Sequence, residues 1–123
     1  LKAVILTPKK KSYTASSEVE KVRLFAPLVE TVFREALNGK YWRAMTLNGL
    51  IFSAAYGYDV SPVVEALKAG ALAAGISGKG PALAALTREE NMDKVAEALQ
   101  AFEGEIITAN VNNRQAKILR VEG

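Results

Sequence analysis

The sequence contains neither cysteine nor histidine among its 123 residues, and these two absences exclude several kinds of chemistry. Without cysteine the chain has no disulfide framework and no thiolate nucleophile. Without either residue it also lacks the usual ligands of structural zinc and the base of serine–histidine and cysteine–histidine catalysis. An acid–base step in this chain therefore depends on Asp, Glu, Lys or Tyr, because the commonest general base near neutral pH is missing.

Basic charge, aromatic side chains and long apolar runs are also scarce. Sixteen Lys and Arg stand against thirteen Asp and Glu, and the only dense basic run is Lys9–Lys11. One Trp, four Tyr and four Phe fall mostly inside apolar patterns rather than in a basic stripe, which does not favour a nucleic-acid partner. No run approaches the roughly 20 apolar residues of a membrane span. We therefore expect a soluble cytoplasmic protein that binds neither nucleic acid nor a membrane.

The length predicts one domain. A chain of 13.2 kDa buries about two-thirds of the surface that its unfolded form exposes, which is enough for one ordinary core over residues 1–123. The first residue is Leu1 rather than methionine. From that start we expect that a segment upstream of it has been removed.

The first half of the chain predicts one strand and three helices. Ala3–Thr7 is a short apolar run stopped by Pro8, as in a buried strand. From Ser17 to Leu37, apolar residues recur at spacings of three and four, so we predict an amphipathic helix that Pro27 either kinks or divides in two. A further helix is predicted to begin at Asp59–Pro62 with a cap and a proline in its first turn.

Between these lies Tyr41–Tyr56, which is apolar nearly all round and therefore predicts a central, buried helix. Asn48 is conspicuous in it, because a buried amide needs hydrogen-bond partners. Either Asn48 bonds a neighbouring loop and Gly49 allows another element to approach closely, or the helix faces a ligand cleft. The sequence leaves both interpretations open.

The second half predicts a hairpin, a helix and two more strands. Small-residue strands flank a glycine-rich turn within Ala71–Leu86, and an amphipathic helix from Met92 to Phe102 follows. Strands are predicted at Glu105–Val111 and Lys117–Val121, with a turn between them. The predicted class is α+β, a ferredoxin-like antiparallel sheet with helices packed on one face and extra helices inserted after the first strand.

The turn at 75–81 matches none of the common glycine motifs. A Walker A loop requires Ser or Thr after Lys79, where Gly80 stands, and glycine at position 73, which is alanine. A dinucleotide fingerprint from Gly78 would need Gly or Ala at position 83, which is leucine. A serine elbow fails because position 79 is lysine and the chain has no histidine.

The physical properties of the turn are still suited to an anion. Gly78 and Gly80 permit backbone torsions closed to other residues and leave amides uncovered, while Ser77 offers a hydroxyl and Lys79 a cation. From the shape of the loop alone, a structural hairpin with a solvated lysine explains these residues equally well.

The order of these motifs resembles the C-terminal domain of the GHMP small-molecule kinases. The resemblance covers essentially the whole chain. It rests on five segments in this order: Met45–Gly49, the helix start at Asp59–Pro62, Gly70–Ala71, Ala73–Gly75 and Ser77–Pro81. Within that superfamily the chain is most similar to the archaeal shikimate kinases. This similarity rests on the sequence at 74–81 and on Val111–Asn113.

The resemblance implies the C-terminal half of a two-domain enzyme that, with magnesium, transfers the γ-phosphate of ATP to shikimate. It also implies that ATP and Mg are bound mainly by an N-terminal domain whose serine-rich phosphate loop is not present in this chain. By the resemblance, the ATP-proximal residues are Gly75, Ser77, Gly78, Lys79 and Gly80. The substrate-cleft residues are Asn48, Asn112 and Asn113. No metal ligand and no catalytic base are assigned, and the chain alone is expected to be inactive.

Two alternatives remain open from the sequence. One is another GHMP kinase, of the homoserine or mevalonate type. The other is a non-catalytic regulatory module of the same element order that binds a small effector.

Overall fold

A computed structural model of the chain describes residues 1–9 and 18–120. It contains four strands and five α-helices in those residues, and a short 3₁₀ turn at Glu89–Asn91 precedes the last helix. In chain order they are β1 (Lys2–Thr7), α1 (Glu18–Leu24), α2 (Ala26–Leu37), α3 (Tyr41–Tyr56), α4 (Ser61–Lys68), β2 (Ala73–Ile76), β3 (Leu83–Thr87), α5 (Met92–Gln100) and β4 (Glu105–Asn110).

The four strands form one antiparallel sheet in the order β2-β3-β1-β4. β1 lies in the interior, where Val4 pairs with Ala85 of β3 on one side and with Thr108 of β4 on the other. The first strand therefore lies between the third and the fourth, which is the ferredoxin-like order. The predicted fold class, an α+β sheet with extra helices after the first strand, is confirmed.

The core lies between one face of the sheet and the helices α4 and α5. Alternation along β1 and β3 places every second side chain on that face. Its fully buried residues are Val4, Leu6, Val63, Ala66, Ala74, Leu83, Ala85, Val95 and Leu99. Residues of the opposite face, such as Ile5 and Ala84, are only half-buried.

Helix α3 covers the outer edge of β2. Gly49 of the helix lies so near the strand that a Cβ on it would be 2.5 Å from the Cα of Gly75. The outward amide of Ala74 donates to the Thr46 hydroxyl across 3.3 Å. An edge strand whose amides are left unpaired is a template for aggregation, so this helix closes one edge of the sheet.

The predicted helix from Ser17 to Leu37 is two helices where the structure describes it. α1 ends at Leu24 and α2 begins at Ala26, so four helices rather than three follow β1. Pro27 lies in the first turn of α2, where the missing amide costs no intrahelical bond. Of the two outcomes that the proline allowed, division of the helix is the one observed.

The expectation that Tyr41–Tyr56 is central and buried is correct for only part of its surface. Ala44, Gly49, Ser53 and Ala55 are buried. Tyr41, in contrast, is 63% exposed, and Trp42 and Leu47 also remain accessible. Apolar residues all round a helix predict burial only where other elements cover every side. Here β2, α2 and α1 contact α3 and leave part of its surface accessible.

The predicted final strand at Lys117–Val121 is wrong for its described part, residues 117–120. These residues form no strand, and the side chains of Ile118 and Leu119 are 80% and 86% exposed. An apolar run becomes a strand only by pairing with a sheet edge. The amide of Val111 still donates to the carbonyl of Leu1 beside β1, but residues 112–120 are exposed and form no strand. Val121 lies outside the described residues.

Within residues 1–9 and 18–120, no helix combines the length and the apolar character needed to cross a membrane.

Candidate functional site

The loop between β2 and β3 is a tight turn, as the hairpin prediction required. The amide of Ser77 donates to the carbonyl of Ala82 at 2.7 Å, and the amide of Gly80 donates to the carbonyl of Ser77 at 3.0 Å. Gly78 and Gly80 have φ values of +59° and +71°, while Lys79 has a negative φ. Glycine is needed at both positions, since L side chains rarely adopt these torsions.

Two backbone amides at the tip of this loop are uncovered. In the described part of the chain, the N–H groups of Gly78 and Lys79 donate no hydrogen bond, whereas that of Gly80 is used inside the turn. Ser77, Gly78 and Lys79 are exposed. Two free amides beside an ammonium group form a donor set for an anion.

Gly75, the first of the five predicted loop residues, lies apart from the tip. It is buried within β2, and a Cβ on it would be 3.0 Å from the carbonyl oxygen of Met45 in α3. Its visible role is to let α3 approach the strand. The structure therefore brings Ser77, Gly78, Lys79 and Gly80 together at the tip and leaves Gly75 below them.

A tyrosine that the sequence did not single out contacts the same loop. The Tyr58 hydroxyl donates to the carbonyl oxygen of Lys79 at 2.7 Å. Its ring lies against Gly80, where an added Cβ would be 2.6 Å from the ring atom Cε2. Nothing in the sequence around Tyr58 connects it to a loop 21 residues away. The only local signal is its place just after the helix-ending Gly57.

Behind the loop lies a cavity of about 150 Å³ between the ends of α3, α4 and the hairpin. It is lined by Leu6, Pro8, Ser53, Tyr58, Asp59, Pro62, Val63, Ile76, Pro81 and Leu83. Ser53 is only 1% exposed, and its hydroxyl has no hydrogen-bond partner in the described residues. A small, mainly apolar cavity therefore lies beneath the hairpin.

Asp59 has a structural role at the start of α4. Its Oδ1 accepts hydrogen bonds from the amide of Ser61 at 2.9 Å and from the Ser61 hydroxyl at 2.7 Å. The bond from the backbone amide, followed by that from the hydroxyl, lowers the pKa of the Asp59 carboxyl below its ordinary value. The carboxylate is thus occupied in starting the helix, as the predicted cap at Asp59–Pro62 implies.

Asn48 lines a different cavity, a groove of about 370 Å³ between α2 and α3. The groove is mainly apolar and is lined by Val29, Val32, Phe33, Ala36, Tyr41, Ala44, Met45 and Asn48. The Asn48 amide makes no hydrogen bond with any described residue. The loop interpretation of Asn48 therefore finds no support here, while the close approach at Gly49 is observed.

The resemblance to the GHMP kinases implies that Asn48 contacts the substrate. On that expectation, Asn48→Leu in the full-length protein should raise the KM for the acceptor substrate by about tenfold, because one or two hydrogen bonds to the ligand would be lost. Leucine suits the apolar groove, so the thermal midpoint should not fall. Steady-state kinetics and calorimetry measure the two effects. A stabilised variant with unchanged kinetics would show that this groove is not part of the substrate cleft.

Asn112 and Asn113 lie at the other end of the sheet from the loop. The loop follows Ile76, which pairs with Leu83 at the Leu6 end of β1, whereas Asn110 pairs with Lys2 at the opposite end. The four residue-to-residue steps from Lys2 to Leu6 span about 13 Å along the strand. Both asparagines are exposed, and Asn112 Oδ1 accepts from the amide of Arg114. The structure does not bring them to the hairpin.

No group of three or more His, Cys, Asp or Glu side chains in residues 1–9 and 18–120 is arranged to hold a metal ion.

Comparison with known proteins gives one family. Residues 43–104 match the family model described as the GHMP kinases C terminal. The chain is 42% identical over 118 residues to the shikimate kinase of Methanothermobacter thermautotrophicus, covering 96% of this chain and 41% of that protein. It is 39% identical over 117 residues to the shikimate kinase of Methanosarcina acetivorans, covering 94% and 40%. The chain thus spans about two-fifths of the length of these curated relatives.

Solved structures give the same fold. A homoserine kinase from Cytophaga hutchinsonii has a TM-score of 0.54 at 20% identity, covering 92% of this chain and 42% of that one. The mevalonate kinase of L. major has a TM-score of 0.52 at 19% identity, covering 81% and 38%.

Proposed function

The chain belongs to the GHMP kinases, whose C-terminal domain model it matches, and we propose that it is the C-terminal half of an ATP-dependent shikimate kinase. In this proposal the whole protein transfers the γ-phosphate of ATP to a hydroxyl of shikimate and forms shikimate 3-phosphate for aromatic amino-acid synthesis. The similarity to archaeal shikimate kinases along nearly the whole chain supports the choice of acceptor.

The structural observation that best supports a role in phosphoryl transfer is the tip of the β2–β3 hairpin. Gly78 and Lys79 present free amides there, and Lys79 adds a positive charge. Phosphoryl transfer asks little covalent chemistry of the protein, and most of the rate comes from positioning and electrostatic stabilisation. A kinase domain without histidine or cysteine is therefore chemically reasonable.

The described residues fit the phosphate part of ATP but not its metal. Free amides and the Lys79 ammonium would bind phosphate oxygens, and ATP would supply the transferred phosphoryl group. Mg²⁺ has no cluster of carboxylates here to hold it. By the resemblance to the GHMP kinases, we propose that magnesium and most of the nucleotide are bound by an N-terminal domain.

That N-terminal domain is also the proposed partner of the exposed apolar surface on α2 and α3. Phe33, Leu37 and Tyr41 are all more than half exposed along these two helices. Large contiguous apolar surfaces on soluble domains usually mark contacts. Shikimate and ATP would then bind between the two domains, with the α2–α3 groove and the hairpin as the contributions of this chain.

The test is a substrate panel on the full-length protein. Shikimate, homoserine and R-mevalonate are each supplied with MgATP, and ADP formation is measured with each. We expect turnover with shikimate and background rates with the other two. Preferential turnover of homoserine or mevalonate would overturn the proposed acceptor. No turnover together with calorimetric binding of a metabolite would indicate a regulatory module.

A further inference from the structure

The β2–β3 hairpin is held by a residue that belongs to no glycine motif. Tyr58 follows α3, which ends with Gly57 in the left-handed conformation at φ +76°. The amide of Tyr58 donates to the carbonyl of Ser53, five residues earlier in the chain, at 2.8 Å, as in a Schellman motif. The backbone of Tyr58 is therefore fixed to the end of α3.

The side chain of Tyr58 is fixed as well. Its ring meets that of Tyr56 edge-on, with centroids 5.8 Å apart and an interplanar angle of 66°. Tyr56 in turn contacts Phe52 at 5.8 Å, one turn earlier on α3. This row of three rings directs the Tyr58 hydroxyl towards the hairpin and limits its freedom to turn away.

The Tyr58 hydroxyl holds one particular peptide unit of the loop. The carbonyl of Lys79 accepts from Tyr58 at 2.7 Å, and the amide of the same unit, that of Gly80, donates to Ser77 at 3.0 Å. With both polar groups engaged, this peptide plane has a single orientation. The amides that precede it, those of Gly78 and Lys79, remain free at the tip.

The ring fixes the loop from a second direction. It fills the space where a side chain at position 80 would begin, since a Cβ there would be 2.6 Å from Cε2. Gly80 thus satisfies two demands at once, a positive φ and contact with an aromatic face. Movement of the loop towards α3 is blocked, and movement away from it breaks the hydrogen bond.

We infer that Tyr58 is a positioning residue that presets the amides of Gly78 and Lys79 for phosphate oxygens of ATP. This inference rests on the proposed function of the hairpin as a phosphate contact. Donors fixed before the substrate arrives need no reorganisation during the reaction. Tyr58 contacts the loop and has no assigned contact with the reacting atoms, so it acts through Gly78 and Lys79.

The test is Tyr58→Phe in the full-length protein, with Tyr56→Phe as the matched control. Phenylalanine at 58 keeps the ring against Gly80 and removes the bond to Lys79, whereas Tyr56 donates no hydrogen bond within the described residues. Hydrogen–deuterium exchange of peptides covering residues 77–82 is measured with and without MgATP, together with kcat, KM for ATP and the thermal midpoint.

We expect Tyr58→Phe to increase exchange of the 77–82 peptides and to lower kcat/KM for ATP by about fivefold, as loss of one hydrogen bond implies. Tyr56→Phe should leave both unchanged, and the two variants should melt alike. Exchange and kinetics of Tyr58→Phe equal to those of Tyr56→Phe would overturn the inference. So would a lower melting point with unchanged exchange at 77–82, which would indicate a role in stability only.

The outcome is separable from that of the proposed acceptor. If the protein phosphorylates homoserine or mevalonate instead of shikimate, the acceptor proposal fails while the exchange comparison still decides the role of Tyr58. If MgATP changes the exchange of the 77–82 peptides in neither the parent protein nor Tyr58→Phe, the hairpin makes no phosphate contact and the inference fails.

Discussion

Gly49→Ala is expected to destabilise the protein by about 2–3 kcal/mol, although alanine is ordinarily the better helix former by about 1 kcal/mol. The new Cβ would be 2.5 Å from Gly75 Cα and 3.2 Å from the amide nitrogen of Ile76. Both are backbone atoms of β2, so no side chain can turn aside to relieve the overlap. α3 would have to move away from the sheet edge that it covers.

The measurement is the free energy of unfolding by denaturant titration, supported by the thermal midpoint. Ala54→Gly, at an exposed position of the same helix, is the matched control and should cost only the usual propensity difference of about 1 kcal/mol. Gly49→Ala adds a methyl group and Ala54→Gly removes one, yet both are expected to destabilise the protein. A gain of stability in Gly49→Ala would show that α3 and β2 are not in contact there.

With the proposed phosphate contact, Lys79→Ala in the full-length protein is expected to lower kcat/KM for ATP by about 10- to 100-fold, the effect of losing one charged hydrogen-bond donor to phosphate. Lys79 is exposed at the hairpin tip and makes no ion pair with a described residue, so the fold should not depend on it. Steady-state kinetics measures the loss of kcat/KM, and calorimetry checks that the thermal midpoint is unchanged.

Lys94→Ala, an exposed lysine on α5, provides the control for loss of one positive charge. Lys79→Arg keeps the charge and should recover part of the activity. Ser77→Ala should have a smaller effect than Lys79→Ala, since a neutral hydroxyl contributes less than an ammonium group. Kinetics of Lys79→Ala equal to those of Lys94→Ala would leave the hairpin as a structural turn with a solvated lysine.

The sequence predicted the parts of the site that depend on local chemistry. Glycines at 78 and 80 with Ser77 and Lys79 between small-residue strands could indicate a hairpin with exposed donors, because turn torsions and amide exposure are properties of a few adjacent residues. Four of the five predicted strands, most helix positions and the fold class followed from hydrophobic periodicity and the order of the elements.

Features that depend on residues far apart in the chain could not be predicted from local sequence patterns. Tyr58 contacts a loop 21 residues further along the chain, and no periodicity relates the two. Ile118 and Leu119 have the composition of a strand but no edge with which to pair. The outer face of α3 has the composition of a core, yet Tyr41 remains accessible. In each case the outcome depends on which other elements pack against the residue in the folded chain.

The central position of β1 has a consequence for how the chain acquires its sheet. Its partners are β3 and β4, and the register joins Lys2 to Asn110, 108 residues later. Closing so large a loop costs chain entropy before any pairing energy is gained. Helices α1 to α4 can form from local contacts while β1 is still unpaired. During synthesis on the ribosome, β1 is made before either of its neighbours and cannot pair with both until β4 has emerged.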